Sequence, residues 1–260
     1  MEYKREIEAF ERMLSLMKKV RKDCPWDSKQ TNDTLRTLTI EEVYELSEAI
    51  LNKDDKNICK ELGDVLMHVV FYSLIGKEKN KFDITEVMNS LSEKLIRRHP
   101  HVFCQSGEIT YQDVEKNWEK IKLKEGNRST LAGVPSTLPS LVKAYRMQDK
   151  AKGVGFDWEN KQEVWAKVEE EIRELKTEEQ KEDKEKMEEE FGDVLFALIN
   201  YARFLDINPD TALEKTNRKF KTRFQYIEQK AKEKGLNLSD MTLEEMDSLW
   251  NEAKQTQPVL

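Results

Sequence analysis

Two pairs of carboxylates stand three residues apart in the second half of the chain: Glu171 with Glu174, and Glu190 with Asp193. On a helix such spacing puts both members on one face, so each pair projects two acids in one direction. Thr177 to Lys184, between the pairs, is polar and lacks apolar periodicity, so it reads as a turn that brings the two helices back antiparallel. Four carboxylates would then converge. Like charges a few ångströms apart in a partly desolvated place repel by about several kcal/mol, and a hard divalent cation relieves this. Oxygen-only ligands select Mg²⁺, Mn²⁺ or Ca²⁺ over zinc, which prefers His and Cys.

The apolar pattern supplies the elements that would hold these acids. Val164, Val168, Ile172 and Leu175 form one helical stripe, and Phe191, Val194, Leu195 and Leu198 form another. Each acid directly precedes a stripe residue, which predicts acids about 100° round from the stripe, at the rim of the helix interface.

The same spacing occurs earlier. A shift of 129 positions lays Glu42 on Glu171, Glu45 on Glu174, Glu61 on Glu190, Gly63 on Gly192, Asp64 on Asp193 and Tyr72 on Tyr201. An ungapped register with matching acids reads as an internal repeat, with Glu42, Glu45, Glu61 and Asp64 as a candidate second metal site. In that half Thr39 and Glu42 read as a T-x-x-E capping box opening a helix at Thr39, which gives Glu42 a structural alternative. Gly63 and Gly192 fall inside helices, where close packing explains them as well as ligand approach.

Helical periodicity is also plain over residues 4 to 22, which break at Cys24-Pro25-Trp26-Asp27. Asp83 with Glu86 is a capping box for a helix ending near Arg97-Arg98-His99-Pro100, and Tyr111 to Leu123 reads as a further helix. Asn208-Pro209 is an N-cap followed by proline at the first helical position. The densest turn-forming stretch, Gly126 to Pro139, places domains at 1–125 and 138–260 with a linker at 126–137.

Composition narrows the function classes. The chain is 37% charged and 38% hydrophobic with only 9 Gly and 6 Pro among 260 residues, which suits long amphipathic helices and not a turn-rich β protein. A net charge of -7 argues against nucleic acid or an anionic membrane as partner. Cys24, Cys59 and Cys104 form no C-x-x-C pair and have no nucleophile context. No apolar run is long enough to span a membrane, and a soluble cytoplasmic protein is expected.

Cations are candidates for phosphate binding. Lys167 and Lys186 each precede an acid of the set by four residues, the poorer orientation for a helix ion pair, and Lys219 and Arg223 lie one turn apart. No G-x-x-x-x-G-K-[ST] loop is present, so phosphate binding would rest on metal and cationic side chains. Trp250 could stack on a base or fill the core. His68 reads as a packed or rim histidine, since Ala197 takes its place in the second half.

The E-E-x-x-E and E-x-x-D strings, with Cys24-Pro25-Trp26-Asp27, Arg97 to Phe103, Gly153-Val154-Gly155-Phe156-Asp157-Trp158 and Lys219-Phe220-x-x-Arg223-Phe224, resemble the two-domain type of the MazG nucleoside triphosphate pyrophosphohydrolases. The resemblance covers nearly the whole chain. It implies an all-α fold of tandem helical bundles, a homodimer, and Mg²⁺-dependent hydrolysis of (d)NTPs such as ATP to (d)NMP and pyrophosphate, in nucleotide-pool housecleaning or stress regulation. It also implies Glu171, Glu174, Glu190 and Asp193 as metal ligands. The implied nucleotide contacts are Lys167, Val168, Glu169, Glu170 and Glu171, then Lys186, Met187, Glu188 and Glu189, then Asp193, then Lys219, Phe220, Lys221, Thr222 and Arg223, and Trp250. The second half is implied as the main catalytic domain, because Leu38 stands where the second half has Lys167. A non-catalytic nucleotide-sensing scaffold is the competing expectation.

Overall fold

The computed structural model describes residues 2–103 and 129–256. Among them there is no strand, and ten α-helices carry the fold. The chain divides into two compact units, Met1–Glu108 and Ile109–Leu260. The division falls within the undescribed residues 104–128. The expected helix Tyr111 to Leu123 lies there too, as does the start of the expected 126–137 linker, whose described part is a run of turns.

Unit 1 contains α1 (Lys4–Asp23), α2 (Asn32–Leu51), α3 (Asp55–Glu78), α4 (Ile84–Arg98) and the single turn α5 (Pro100–Phe103). Helices α2 and α3 are the principal packed pair. Met17, Leu35, Val70, Phe71 and Ile75 form the core, with Phe10, Met13 and Leu14 of α1 laid against it. Asp83 caps α4 in the predicted box: its carboxylate accepts from the Thr85 and Glu86 amides, and Glu86 accepts from the Asp83 amide.

The Cys24 to Asp27 break is held by Arg21. Its guanidinium donates to Glu78 Oε1 at 2.9 Å and Oε2 at 2.8 Å, and to the Gln30 carbonyl at 3.0 Å. One arginine thus ties the end of α1 to the end of α3 and satisfies carbonyls of the turn between α1 and α2.

Two expectations change here. Helix α2 begins at Asn32, not Thr39: Thr31 is the N-cap, in a capping box with Thr34. Thr39 is therefore interior, its hydroxyl within bonding distance of the Leu35 carbonyl at 2.9 Å. The capping role offered to Glu42 disappears with it. The T-x-x-E pattern gave way because Thr31-Asn32-Asp33-Thr34 supplies a complete cap about two turns earlier.

Glycine tells a similar story. A Cβ at Gly63 or Gly192 would meet nothing within 4 Å, so tight packing inside the chain does not explain either residue. The glycine under close packing is Gly76, where a Cβ would lie 2.8 Å from both the ring and the carbonyl oxygen of Phe82. Gly76→Ala is expected to destabilise unit 1 by about 1–3 kcal/mol, seen as a lower midpoint in urea, because backbone as well as ring must shift. An unchanged midpoint would show the α3–α4 corner to be looser than this.

Unit 2 contains α6 (Ser140–Lys152), α7 (Lys161–Lys181), α8 (Lys184–Phe204), α9 (Pro209–Glu233) and α10 (Leu243–Thr256). Helices α7 and α8 are its main hairpin. The expected turn at Thr177 to Lys184 shrinks to Glu182 and Asp183. Glu182 takes φ 56°, and Asp183 caps α8 by accepting from the Lys186 amide. Residues 177–181 hold no Gly or Pro, and their Glu, Gln and Lys side chains favour helix, so α7 continues to Lys181. Asn208 caps α9 ahead of Pro209, as its sequence predicts. Ile227, Ala231, Met241 and Leu249 join α9 to α10, with Trp250 against them. No helix among the described residues is long and apolar enough to cross a membrane.

Candidate metal centre and nucleotide site

The hairpin geometry gathers Glu171, Glu174 and Glu190, each offering a carboxylate oxygen within 4.8 Å of the others. Asp193 is exposed and stands outside that mutual group. Unit 1 repeats the arrangement with Glu42, Glu45 and Glu61, and Asp64 again stands outside the group. Both halves thus bring together the same three repeat positions, from one helix hairpin each.

The acids divide between the buried face and the rim that the stripe arithmetic predicted: Glu174, Glu45 and Asp193 are exposed and Glu190 and Glu42 half-buried, while one glutamate of each triad goes inside. Glu171 is 7% exposed and Glu61 5%, as buried as the core around them. Glu171 lies seven residues after Val164 and three after Val168, and Glu190 lies four before Val194 and seven before Ala197. Those four apolar residues are the buried face of the hairpin, so the two glutamates continue it. The other side of the supposed α8 stripe faces outward: Phe191 is 54% exposed, Leu195 45% and Leu198 40%. The wide apolar band of α8 spans two faces, and only contact with α7 decides which is inside.

Cations answer part of this buried charge. Lys167 Nζ lies 2.8 Å from Glu171 Oε1 and 2.7 Å from Glu170 Oε1, and these carboxylates hold its pKa well above the ordinary lysine value. In unit 1 Lys60 serves instead, 2.8 Å from Glu61 Oε1 and 3.9 Å from Asp64. The neutralisation is incomplete. Glu174 is pushed above the ordinary glutamate range by desolvation first and then by the neighbouring Glu171 and Glu190 carboxylates. Glu42 is raised likewise, by desolvation and then by Asp64, Glu45 and Glu61. Glu61 Oε2 is buried with no hydrogen-bond partner. A buried, unpartnered carboxylate oxygen beside two more acids is a donor set short of a cation. Oxygen-only donors of this number and charge fit a hard divalent ion.

His68 is 3% exposed, and its Nδ1 lies 2.9 Å from the Thr39 hydroxyl, which is also 2.7 Å from the Tyr72 hydroxyl. It is the packed histidine its context predicts, held below its ordinary pKa by burial against an opposing pull from Asp64.

The cationic pair on α9 lies beside α10. Phe220 and Phe224 stack with 5.9 Å between centroids, and Phe220 tilts onto Trp250 at 5.4 Å. The Arg223 guanidinium sits 5.4 Å from the centre of the Trp250 ring, and its Nε is buried without a hydrogen-bond partner. Trp250 is thus engaged with both the core and Arg223. Sequence reasoning missed one feature, a cavity of about 630 Å³ between α6, the loop after it and the C-terminal half of α8. Gly153 to Trp158 signalled it without disclosing what it encloses.

Among the described residues, two helical units each carry a glutamate triad on a helix hairpin, a donor set that could hold a divalent ion. The family model described as the MazG nucleotide pyrophosphohydrolase domain matches residues 30–103 and again 159–227. A protein of Thermotoga maritima called nucleoside triphosphate pyrophosphohydrolase/pyrophosphatase MazG is 44% identical over 250 residues, covering 94% of this chain and 95% of its own. The Escherichia coli K12 nucleoside triphosphate pyrophosphohydrolase is 39% identical over 254 residues, covering 94% and 97%. YabN of Bacillus subtilis, uncharacterized, is 47% identical over 238 residues, which are 90% of this chain and 49% of that protein. The chain belongs to the MazG family.

Proposed function

We propose that this chain is a nucleoside triphosphate pyrophosphohydrolase, acting on (d)NTPs with Mg²⁺ or Mn²⁺ and releasing (d)NMP and pyrophosphate. The observation that carries the reading is the Glu171, Glu174, Glu190 triad, in which Glu171 is buried, in a chain whose nearly full-length relatives bear that activity in their names. In this reading Glu171, Glu174 and Glu190 hold the metal and Asp193, next on the same helix, completes the set. The bound ion would polarise the phosphoryl oxygens and acidify a water. One of these glutamates or a neighbouring one would accept that water's proton. Lys167 holds Glu171 in place, while Lys219 and Arg223 neutralise charge on the departing pyrophosphate. The rest of the nucleotide contacts are assigned to 167–171, 186–189, Asp193, 219–223 and Trp250, the last acting by holding Arg223.

Pyrophosphate release from a panel of NTPs and dNTPs, with and without EDTA, tests the activity. Metal-dependent nucleotide binding without pyrophosphate release would favour a sensing scaffold instead. The exposed Phe191, Leu195 and Leu198, repeated in unit 1 by Leu62, Leu66 and Val69, support a homodimer that covers them. A reducing, cytoplasmic setting suits the free Cys24 and Cys59.

Unit 1 is assigned a second metal site, because Glu61 has the same need for a counter-charge. Glu61→Gln is expected to remove the unit 1 share of Mn²⁺ bound in a calorimetric titration while leaving NTP turnover largely intact. Undiminished Mn²⁺ capacity would reject that site.

A further inference from the structure

We propose that Lys167 holds the place of the divalent ion in unit 2: it pairs with Glu171 in the metal-free chain, releases it when the ion binds, and is then free to meet the anionic substrate; this rests on the metal reading above.

The lysine follows the buried acid and not a fixed place in the repeat. In unit 2 the buried member of the triad is Glu171, on the first helix of the hairpin, and Lys167 Nζ reaches its Oε1 at 2.8 Å. In unit 1 the buried member is Glu61, on the second helix, and Lys60 Nζ reaches its Oε1 at 2.8 Å. The shift of 129 puts Leu38 at the position of Lys167 and Glu189 at that of Lys60, so neither lysine has a counterpart in the other half. Acid and lysine changed helix together. What the units share is a buried carboxylate met by an ammonium, which is the need a bound cation would otherwise meet.

The two cations compete for one place. An ion at about 2.0–2.1 Å from Glu171 Oε1 would lie no more than about 5 Å from the Lys167 ammonium, and in a partly desolvated site like charges at that range repel strongly. The lysine is able to move. Its side chain is 36% exposed, and its other contact is Glu170 at 2.7 Å, itself 46% exposed. Both partners lie within about a turn of it on α7, so rotation about its own side chain breaks the pairs without disturbing the core. A released ammonium on a flexible stem can turn its donors to another anion, and a triphosphate arriving with the ion supplies one. Free metal would therefore bind at the expense of an ion pair, whereas metal with nucleotide restores a partner to the lysine. Such a site favours the two together over the ion alone.

The full chain carrying Glu61→Gln, which silences the unit 1 triad, serves as the parent, to which Lys167→Met or Lys167→Arg is added. In nucleotide-free calorimetry the Met variant should bind Mn²⁺ at least about tenfold more tightly, since a competing charge is gone, while the Arg variant, which keeps it, should show no such gain. In EDTA the Met variant should have the lower Tm, and Mn²⁺ should raise its Tm by more than it raises the parent's. A lysine that only braced Glu171 for the metal would give the reverse, weaker Mn²⁺ binding in the Met variant. Labelling of the parent by acetic anhydride, read by mass spectrometry, should become faster at Lys167 when Mg²⁺ is added, and slower again with a nonhydrolysable ATP analogue. Mn²⁺ affinity in Lys167→Met at or below the parent's, or a labelling rate that Mg²⁺ leaves unchanged or lowers, would overturn the exchange. If neither parent nor variant binds Mn²⁺, the metal reading falls with it; if both bind it equally, the metal reading stands and the exchange alone is rejected.

Discussion

Glu174→Gln is expected to lower NTP hydrolysis by at least about a hundredfold at saturating Mg²⁺, with the helical content of the protein unchanged. A glutamine keeps the shape but offers a neutral ligand and no base, and loss of one electrostatic contributor in a metal or oxyanion site costs of that order. The effect on stability runs the other way. Glu174 is held above its unfolded pKa by desolvation and by Glu171 and Glu190. Above the folded pKa both states are ionised and the folded state bears the full repulsion; as pH falls through that pKa the folded form takes up a proton first and the repulsion is relieved. The metal-free variant should therefore have a higher Tm than wild type near neutral pH, with the gap closing as the solution is acidified. Adding Mg²⁺ should raise the wild-type Tm more than the variant's. Full turnover in the variant, measured as pyrophosphate release, would remove the triad from the reaction.

The repeat was legible because it is a matter of spacing: Glu42 on Glu171 and Glu61 on Glu190 need no structure to be seen. Caps read from local chemistry also stand, as at Asp83 and Asn208. Facing is harder. Leu195 and Val194 are adjacent apolar residues, and nothing local says that Val194 goes inside at 8% exposure while Leu195 stays 45% exposed. That error moved Glu171 and Glu61 to a rim when they belong to the buried face, although Glu174, Glu45 and Asp193 do stand exposed. Thr39 failed for a related reason, since a cap pattern inside a helix is indistinguishable from one at its start until the earlier Thr31 cap is weighed against it.

The two halves also differ in a way that spacing hides. In unit 2 the lysine beside the buried glutamate comes from a turn earlier on the same helix, Lys167 to Glu171; in unit 1 it is Lys60, adjacent to Glu61 on the other helix of the hairpin. Where unit 2 places Val168 and Ala197 behind its triad, unit 1 places Thr39 and His68, joined through the Thr39 hydroxyl to Tyr72. The acids were kept while their backing changed from apolar to hydrogen-bonded. Such a network fixes side chains through directional bonds, and the apolar version does so through packing.

Arg223→Leu should separate function from stability most clearly. Its Nε–H is buried with no acceptor, a condition that costs roughly 1–3 kcal/mol. The contact with Trp250 at 5.4 Å returns about 0.5–1 kcal/mol at a partly exposed site, so the free protein gains little from the guanidinium. Leucine would keep an apolar cover on the Trp250 ring and remove the unmet donor. The Tm should stay level or rise, while kcat/KM for NTPs falls about a hundredfold, because a charge-assisted fork to phosphate is lost where negative charge develops. Arg223→Lys, which keeps the charge without the planar fork, should recover part of that loss. A Tm that drops together with activity would instead make Arg223 a strut between α9 and α10, and would leave Lys219 as the phosphate ligand on that helix.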